Sequence, residues 1–129
     1  MEKFREFTTS SGKKVLGGKT AESNEQLIKQ VENNEIVLHT KSPGSPFVNI
    51  KPEKGSKISQ KDIRESAIFC ARYSKAWKSQ KSKKDVAVHY FKGKDIFKDK
   101  KMKSGTFGVK KYKEIIVRKQ DIEGFDKNE

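Results

Sequence analysis

The sequence predicts a single α+β domain in which two main helices pack on a mixed or antiparallel β-sheet. Short β-prone runs alternate with helix-like segments, and the part of the chain after Lys84 is mainly β-prone. The chain has 129 residues, enough for one modest core and too few for two independent ones. Only 32% of the residues are hydrophobic, but eight Phe, three Tyr and one Trp supply large apolar side chains for that core.

The first half of the chain is predicted to form a hairpin, a helix and two neighbouring strands. Gly12 tolerates the positive φ of a tight turn, and Thr20 can cap the first amides of a helix. The turn-forming residues 41–46 separate two strand-like runs that should lie side by side. The predicted elements are strands at 4–8 and 14–16, a helix from Thr20 to Asn33-Asn34, and strands at 36–40 and 47–51.

The second half is predicted to begin with the longest helix. Ser59 and Asp62 have the spacing of a capping box, and apolar residues then recur at helical spacing as far as Trp77. The predicted elements are a helix at 59–78, a strand at 86–91 and a final hairpin of 106–109 with 114–118. We expect the domain to occupy residues 1–120 and a polar, acidic, frayed tail to occupy residues 121–129.

The charge balance predicts a polyanionic partner. The chain has 30 Lys and Arg against 17 Asp and Glu, a formal charge of +13. A nucleic acid is the expected ligand. One cysteine, Cys70, excludes an internal disulfide, and no apolar run is long enough for a membrane span or a signal peptide. We therefore expect a soluble, cytoplasmic, monomeric protein without membrane contact.

Motifs for catalysis, metal binding and cofactor binding are weak in this sequence. Gly17-Gly18-Lys19-Thr20 resembles the end of a P-loop, but the motif needs a glycine at the position of Lys13. Neither His39 nor His89 has metal ligands at a usable spacing. We expect no catalytic residue, no metal and no cofactor. The glycine pair beside Lys19 is either a site for one phosphate or simply a tight turn into a helix.

Two further segments have the composition of a nucleic-acid surface. His39 ends an apolar strand and leads into a small-residue turn that lets a sugar-phosphate chain approach closely. The end of the long helix combines cations with aromatic rings, which can stack on bases and pair with phosphates. Of these rings, Trp77 is expected to be buried in the core rather than to contact a nucleic acid. The candidate residues in these segments are His39, Lys41, Ser42, Pro43, Gly44, Ser45, Arg72, Ser74, Lys75 and Lys78.

Three short motifs occur in an order that resembles one known family. They are GGK-x4-N from Gly17 to Asn24, H-x3-PGS from His39 to Ser45, and SKAW from Ser74 to Trp77, followed by Gly105-Thr106-Phe107. This set resembles the NFACT-R domain, the RNA-binding domain of the NFACT ribosome-quality-control proteins, over about residues 3 to 118. The resemblance implies an RNA-binding α+β fold, here in a stand-alone form, and contact with tRNA or the large ribosomal subunit.

The leading interpretation is a non-catalytic RNA-binding domain with one continuous basic groove. Gly17, Gly18 and Lys19 would hold a phosphate, and the groove would follow the far side of the second helix. The alternatives are an RNA-modifying or RNA-processing enzyme or subunit, with His39 as general base near Ser42 or Asp62, a DNA-binding module, and an adaptor for an acidic protein.

Overall fold

The computed structural model describes residues 3–53 and 56–127, and its elements form an α+β fold. The strands are β1 (Arg5–Thr8), β2 (Lys14–Gly17), β3 (Ile36–Thr40), β4 (Val48–Lys51), β5 (Val86–Lys92), β6 (Ile96–Phe97), β7 (Gly108–Val109) and β8 (Lys113–Val117). The helices are α1 (Ala21–Lys29), α2 (Gln60–Arg72), α3 (Lys75–Lys78) and α4 (Lys119–Lys127), with a 3₁₀ turn at Gly93–Asp95.

The main sheet has six strands in the order β1-β2-β4-β3-β5-β8, and each neighbouring pair is antiparallel. The predicted fold class is thus confirmed, with an antiparallel rather than a mixed sheet. The predicted β1–β2 hairpin forms with Gly12 at φ +92° in its turn, and β3 pairs with β4 as predicted.

Both faces of the sheet are covered. Val37 and Leu38 are consecutive, so their side chains point to opposite faces, and both are fully buried. Leu38 belongs to the larger core cluster, which includes Ile63 of α2. Val37 packs in a smaller cluster with Leu27 of α1 and with Phe47. The sheet therefore separates two apolar layers, with α2 on one side and α1 on the other.

The predicted capping box begins α2 and ties it to the β1–β2 turn. The Asp62 amide donates to Ser59 Oγ over 3.1 Å, and Asp62 Oδ2 accepts from the Ser59 amide over 3.0 Å. Ser11 Oγ donates to Asp62 Oδ1 over 2.6 Å, and Lys13 Nζ lies 3.5 Å from Oδ2. Burial alone would raise the pKa of Asp62, but the hydrogen bonds from Ser11 and Ser59 outweigh it and hold this pKa far below its ordinary value.

The helix predicted to run to Lys78 is interrupted. α2 ends at Arg72, and Ser74 then caps α3, because its Oγ accepts from the Trp77 amide over 3.2 Å and donates to the Ala71 carbonyl over 2.7 Å. A serine side chain can replace the regular helical hydrogen bonds of the backbone with bonds of its own. Here the Ser74 hydroxyl ends α2 and begins α3. Trp77 is buried as predicted, with 5% of its surface exposed.

The predicted final hairpin is wrong. β8 pairs with β5, with Val117 opposite Val86, whereas β7 pairs with β6. β5 is seven residues long and offers β8 a full-length partner, while β7 has only two residues. The tertiary sheet therefore overrides the local hairpin preference.

Residues 121–127 of the tail predicted to be frayed belong to helix α4, which packs on the core. Ile122 is fully buried, and the Phe125 ring lies 5.5 Å from the Phe7 ring and 6.1 Å from the Phe69 ring. The polar majority of residues 121–129 conceals an apolar pair at i, i+3 spacing, enough for one face of a short helix. The expected domain boundary at residue 120 therefore falls inside a packed element.

Within the described ranges, no helix is long and apolar enough to cross a membrane.

Ile122→Ala should lower the free energy of unfolding by about 2–4 kcal/mol, because it empties a fully buried site between α4 and the core. Chemical denaturation followed by circular dichroism measures the change. Gln120→Ala, on the exposed part of the same helix, should have little effect. Equal stability of the two variants would contradict the packing of α4.

Asp62→Asn should lower the free energy of unfolding at pH 7 by about 2 kcal/mol, since it removes the charge from a buried, multiply hydrogen-bonded carboxylate. The pKa of Asp62 is lowered in the folded state, so its contribution is complete above an unfolded pKa of about 3.9 and disappears as the pH falls further. Urea titrations should show the stability difference between the two proteins shrinking steadily as the pH falls below about 4. Asp121→Asn, at an exposed site, is the control.

Candidate nucleic-acid interface

A cleft of about 430 Å³ opens on the α1 side of the sheet, between the loop after β3 and the chain before β8. We call it the aromatic cleft, because six aromatic side chains line its walls. These are His39, Phe47, His89, Phe91, Phe107 and Tyr112. The predicted candidates Asn24, His39, Lys41, Pro43, Gly44 and Ser45 also line it.

His39 lies on the wall of the cleft opposite His89 in the β3–β5 pairing. Its ring centroid is 4.4 Å from that of Phe47. Nδ1 lies 2.7 Å from the carbonyl oxygen of Thr40, and because a carbonyl only accepts, Nδ1 is the donor. Burial is the main cause that lowers the pKa of His39, so the ring is neutral near pH 7. Its Nε2 is then a hydrogen-bond acceptor.

Tyr112 stacks on His89 and keeps an open ring surface. The two centroids are 4.1 Å apart with an interplanar angle of 19°, and His89 Nε2 lies 3.0 Å from Glu114 Oε1. Tyr112 is 56% exposed although it is a large aromatic residue. A ring that is fixed on one face and open on the other can accept a further planar ring.

The loop from Lys41 to Ser45 is held against the start of α3. Gly44 has φ +88°, and its carbonyl accepts from the Lys75 amide over 2.7 Å. A Cβ at position 44 would lie 2.9 Å from Lys75 Cβ, so only glycine fits here. Lys75 therefore adjoins the loop, and the SKAW and PGS motifs meet in space.

The glycine turn has a structural role that differs from the phosphate site considered from the sequence. Gly17 and Gly18 are buried, and the Gly18 amide donates to the Phe47 carbonyl over 3.0 Å. The amides of Lys19 and Thr20 both donate to Ser23 Oγ. These amides are thus satisfied within the protein.

Asn24 completes a clamp on the Phe47 backbone. Its Oδ1 accepts from the Phe47 amide over 3.1 Å, and its side chain occupies the space that a Cβ on Gly18 would need. The GGK-x4-N motif therefore fixes Phe47, which in turn packs against His39.

Two of the predicted cations at the end of α2 and in α3, Arg72 and Lys78, contact other side chains of the protein. Arg72 Nε lies 2.5 Å from Asp126 Oδ1 of α4. Its guanidinium and the Lys78 ammonium lie 5.2 and 5.7 Å from the centroid of the Tyr73 ring. Ser74 is fully buried as the cap of α3, which removes it from the candidate contacts. Of this predicted set, Lys75 is the residue placed beside the loop at Gly44.

The lysine-rich segment after β6 is anchored to α1. Lys98 Nζ donates to Glu25 Oε1 of α1 and to the Lys103 and Thr106 carbonyls. The Gly105 amide also donates to Glu25 Oε1, over 2.9 Å. The hydrogen bond from Lys98 is the main cause that lowers the pKa of Glu25. This contact holds the segment that carries Phe107 into the cleft.

Tyr112, His89 and Phe47 were not among the predicted site residues. The sequence pattern that could have identified Tyr112 is an aromatic residue flanked by Lys110, Lys111 and Lys113. Such a combination can bind bases and phosphates. His89 could be found only through its pairing with His39, which the sequence does not display.

Comparison with protein families matches residues 3–111 to the family described as the NFACT protein RNA binding domain. The chain belongs to the NFACT-R family. The resemblance seen in the sequence is thus confirmed over most of the chain, and the domain is homologous to the ribosome-quality-control proteins Rqc2 and NEMF.

Two curated relatives of this NFACT-R domain are much longer proteins. The archaeal Rqc2 homolog aRqcH of Methanocaldococcus jannaschii is 37% identical over 78 residues, which are 60% of this chain and 11% of that protein. The ribosome quality control complex subunit NEMF homolog of Drosophila melanogaster is 32% identical over 77 residues, 59% of this chain and 8% of that protein. The chain thus spans about a tenth of the length of either relative.

A solved structure shows the same fold. It is the C-terminal part of the fibronectin/fibrinogen-binding protein from Streptococcus suis, with a TM-score of 0.78 at 21% sequence identity. The match covers 96% of this NFACT-R domain and 49% of that chain.

The described part of the domain offers little for metal or thiol chemistry. No group of three His, Cys, Asp or Glu residues in it is arranged to hold a metal ion. Cys70 is fully buried, and burial raises the pKa of its thiol to about 12, so it stays protonated.

Glu25→Gln should loosen the segment that carries Phe107, because it removes the charge that binds Lys98 and the Gly105 amide. Loss of about 1 kcal/mol would reduce the hydrogen-exchange protection of the Gly105 amide about 5-fold. Glu22→Gln, exposed on the same helix, should leave this protection unchanged. Unchanged protection in Glu25→Gln would show that the segment is held by other contacts.

Proposed function

We propose that this NFACT-R domain is a non-catalytic RNA-binding module that places an unstacked base in the aromatic cleft. The observation that carries the proposal is Tyr112, which is fixed on His89 and exposed on its other side at the mouth of the cleft. Base stacking on such a ring contributes about 1–3 kcal/mol. Single-stranded loops and ends of RNA present bases that can be splayed out in this way.

Polar groups around the rings suit the rest of a nucleotide. The neutral His39 offers Nε2 as an acceptor for a base edge. Lys41 and Lys75 flank the loop at Gly44, where they can pair with phosphate oxygens. The cleft therefore combines stacking, an edge contact and nearby positive charge.

The environment of His39 favours binding over catalysis. A general base is usually oriented by a carboxylate that stabilises its protonated form, but His39 Nδ1 faces the Thr40 carbonyl. Asp62, considered as its partner, instead caps α2 and binds Ser11. Burial also disfavours the imidazolium that base catalysis would create.

The named relatives suggest where such a module works. Their descriptions refer to Rqc2 and to a ribosome quality control complex. We infer that the domain binds tRNA or ribosomal RNA during translation in the cytoplasm, as a monomer. Crosslinking in cells followed by sequencing of the bound RNA distinguishes these two ligands, and a nuclease-insensitive protein complex would instead favour the adaptor function.

Tyr112→Ala should weaken binding of a labelled, unstructured RNA by about 5- to 150-fold, the equivalent of one lost base stack. Fluorescence anisotropy measures the affinity. Tyr112→Phe should retain it, because the ring face remains. Phe97→Ala, at a 40% exposed aromatic residue that does not line the cleft, is the matched control.

The same titrations with a DNA strand of equal sequence separate RNA binding from general single-strand binding. If Tyr112→Ala binds RNA as tightly as the wild type, the aromatic cleft is not the base-binding site. If the wild-type protein cleaves or modifies RNA and the His39→Ala variant does not, an enzymatic function replaces the proposed one.

A further inference from the structure

A second cleft of about 820 Å³ lies next to the aromatic cleft, and the two share Phe91 and Tyr112 in their walls. We call it the lysine cleft. Its positive residues come from the end of β5, the 3₁₀ turn and the chain that leads into β8. They are Lys92, Lys94, Lys110, Lys111 and Lys113.

The lysines of this cleft have no ion-pair partner in the described part of the chain. The lysines that form ion pairs there are Lys13, Lys14, Lys51 and Lys98. Asp95 is the one acidic residue among those that line the lysine cleft. Five ammonium groups around one acid repel each other, and this repulsion is relieved when a polyanion binds.

The backbone holds the two lysine-bearing segments together. The Lys110 amide donates to the Asp95 carbonyl over 2.8 Å, and the Lys94 amide donates to the Asn33 carbonyl over 3.1 Å. The Gly93 amide donates to the Glu35 carbonyl over 2.9 Å. Because these bonds fix the chain, the lysines converge without the entropy cost of ordering a loop.

We propose that the lysine cleft binds the sugar-phosphate backbone of the strand whose base stacks on Tyr112. This inference rests on the proposed function and adds the path of the strand. Tyr112 lines both clefts beside the edge strand β8, so a strand whose base lies against its ring can continue past this edge of the sheet to Lys111 and Lys113. Ammonium groups neutralise phosphates without reading the bases, so this cleft contributes affinity and the aromatic cleft contributes base contacts.

The groups that bind the phosphates are separated in sequence by the segment from Asp95 to Val109. Lys92 and Lys94 precede it, and Lys110, Lys111 and Lys113 follow it. The segment itself is anchored through Lys98. Its two ends are joined by the hydrogen bond from the Lys110 amide to the Asp95 carbonyl, so the two lysine groups lie close together.

The salt dependence of RNA binding tests the inference. The test variant is the triple variant Lys110→Gln, Lys111→Gln, Lys113→Gln, and the matched control is Lys81→Gln, Lys84→Gln, Lys119→Gln. Both remove three charges from exposed positions, and the control residues line neither cleft. Affinity for a labelled oligouridine is measured from low to high salt, with circular dichroism as a check on folding.

Each phosphate contact contributes about −0.7 to the slope of log affinity against log salt. The test variant should therefore have a slope shallower by about 2, and an affinity about 100-fold weaker at 0.1 M salt. The control should keep a slope close to that of the wild type. Tyr112→Ala should lower the affinity and leave the slope nearly unchanged, because stacking releases no counterions.

If the wild-type protein binds RNA and the test variant has the same slope as the wild type, the lysine cleft does not bind the sugar-phosphate backbone. The proposed function would not be affected by this result. An equal loss of slope in the test and control variants also overturns it, since the effect would then come from net charge. Absence of RNA binding by the wild type refutes the proposed function itself. A second pair, Lys92→Gln with Lys94→Gln, should reduce the slope by about 1.4 and tests the opposite wall.

Discussion

The clamp on the Phe47 backbone is the constraint on which the aromatic cleft depends. Gly18 donates to the carbonyl of this residue, and Asn24 accepts from its amide. Phe47 then supports His39 on one side and meets the Phe107 ring edge-on at 5.5 Å on another. Residues that are far apart in the chain thus converge on one fixed aromatic ring, and the glycine motif acts on the site through that ring.

The positive charges fall into groups with different tasks. Arg72 and Lys98 bind carboxylates of neighbouring helices and help to fix the fold. Lys51 pairs with the buried Glu35 over 2.8 Å. The five lysines of the lysine cleft have no such partner among the described residues. The net charge of +13 predicts a polyanionic partner, and the unpaired lysines of this cleft are those proposed to bind it.

The sequence predicted features that depend on a few adjacent residues. The capping box of Ser59 and Asp62 and the turn at Gly12 are local, and both form as predicted. The partner of β8, the restart of the helix at Ser74 and the docking of Ile122 depend on surfaces assembled elsewhere in the chain. In the candidate site, the order of the motifs was enough to predict His39 and the loop from Lys41 to Ser45. The stacking of Tyr112 on His89 needed the strand register, which no local pattern encodes.

Trp77 gives the domain an intrinsic spectroscopic reporter. It is the one tryptophan of the chain, and it is buried in α3 beneath the Lys83 ammonium, 5.0 Å from its ring centroid. The Lys75 amide at the start of α3 donates to the Gly44 carbonyl, so a shift of that loop would change the surroundings of the indole. Ultraviolet emission can therefore follow occupancy of the neighbouring cleft in the unlabelled protein, because nucleotides themselves contribute little fluorescence.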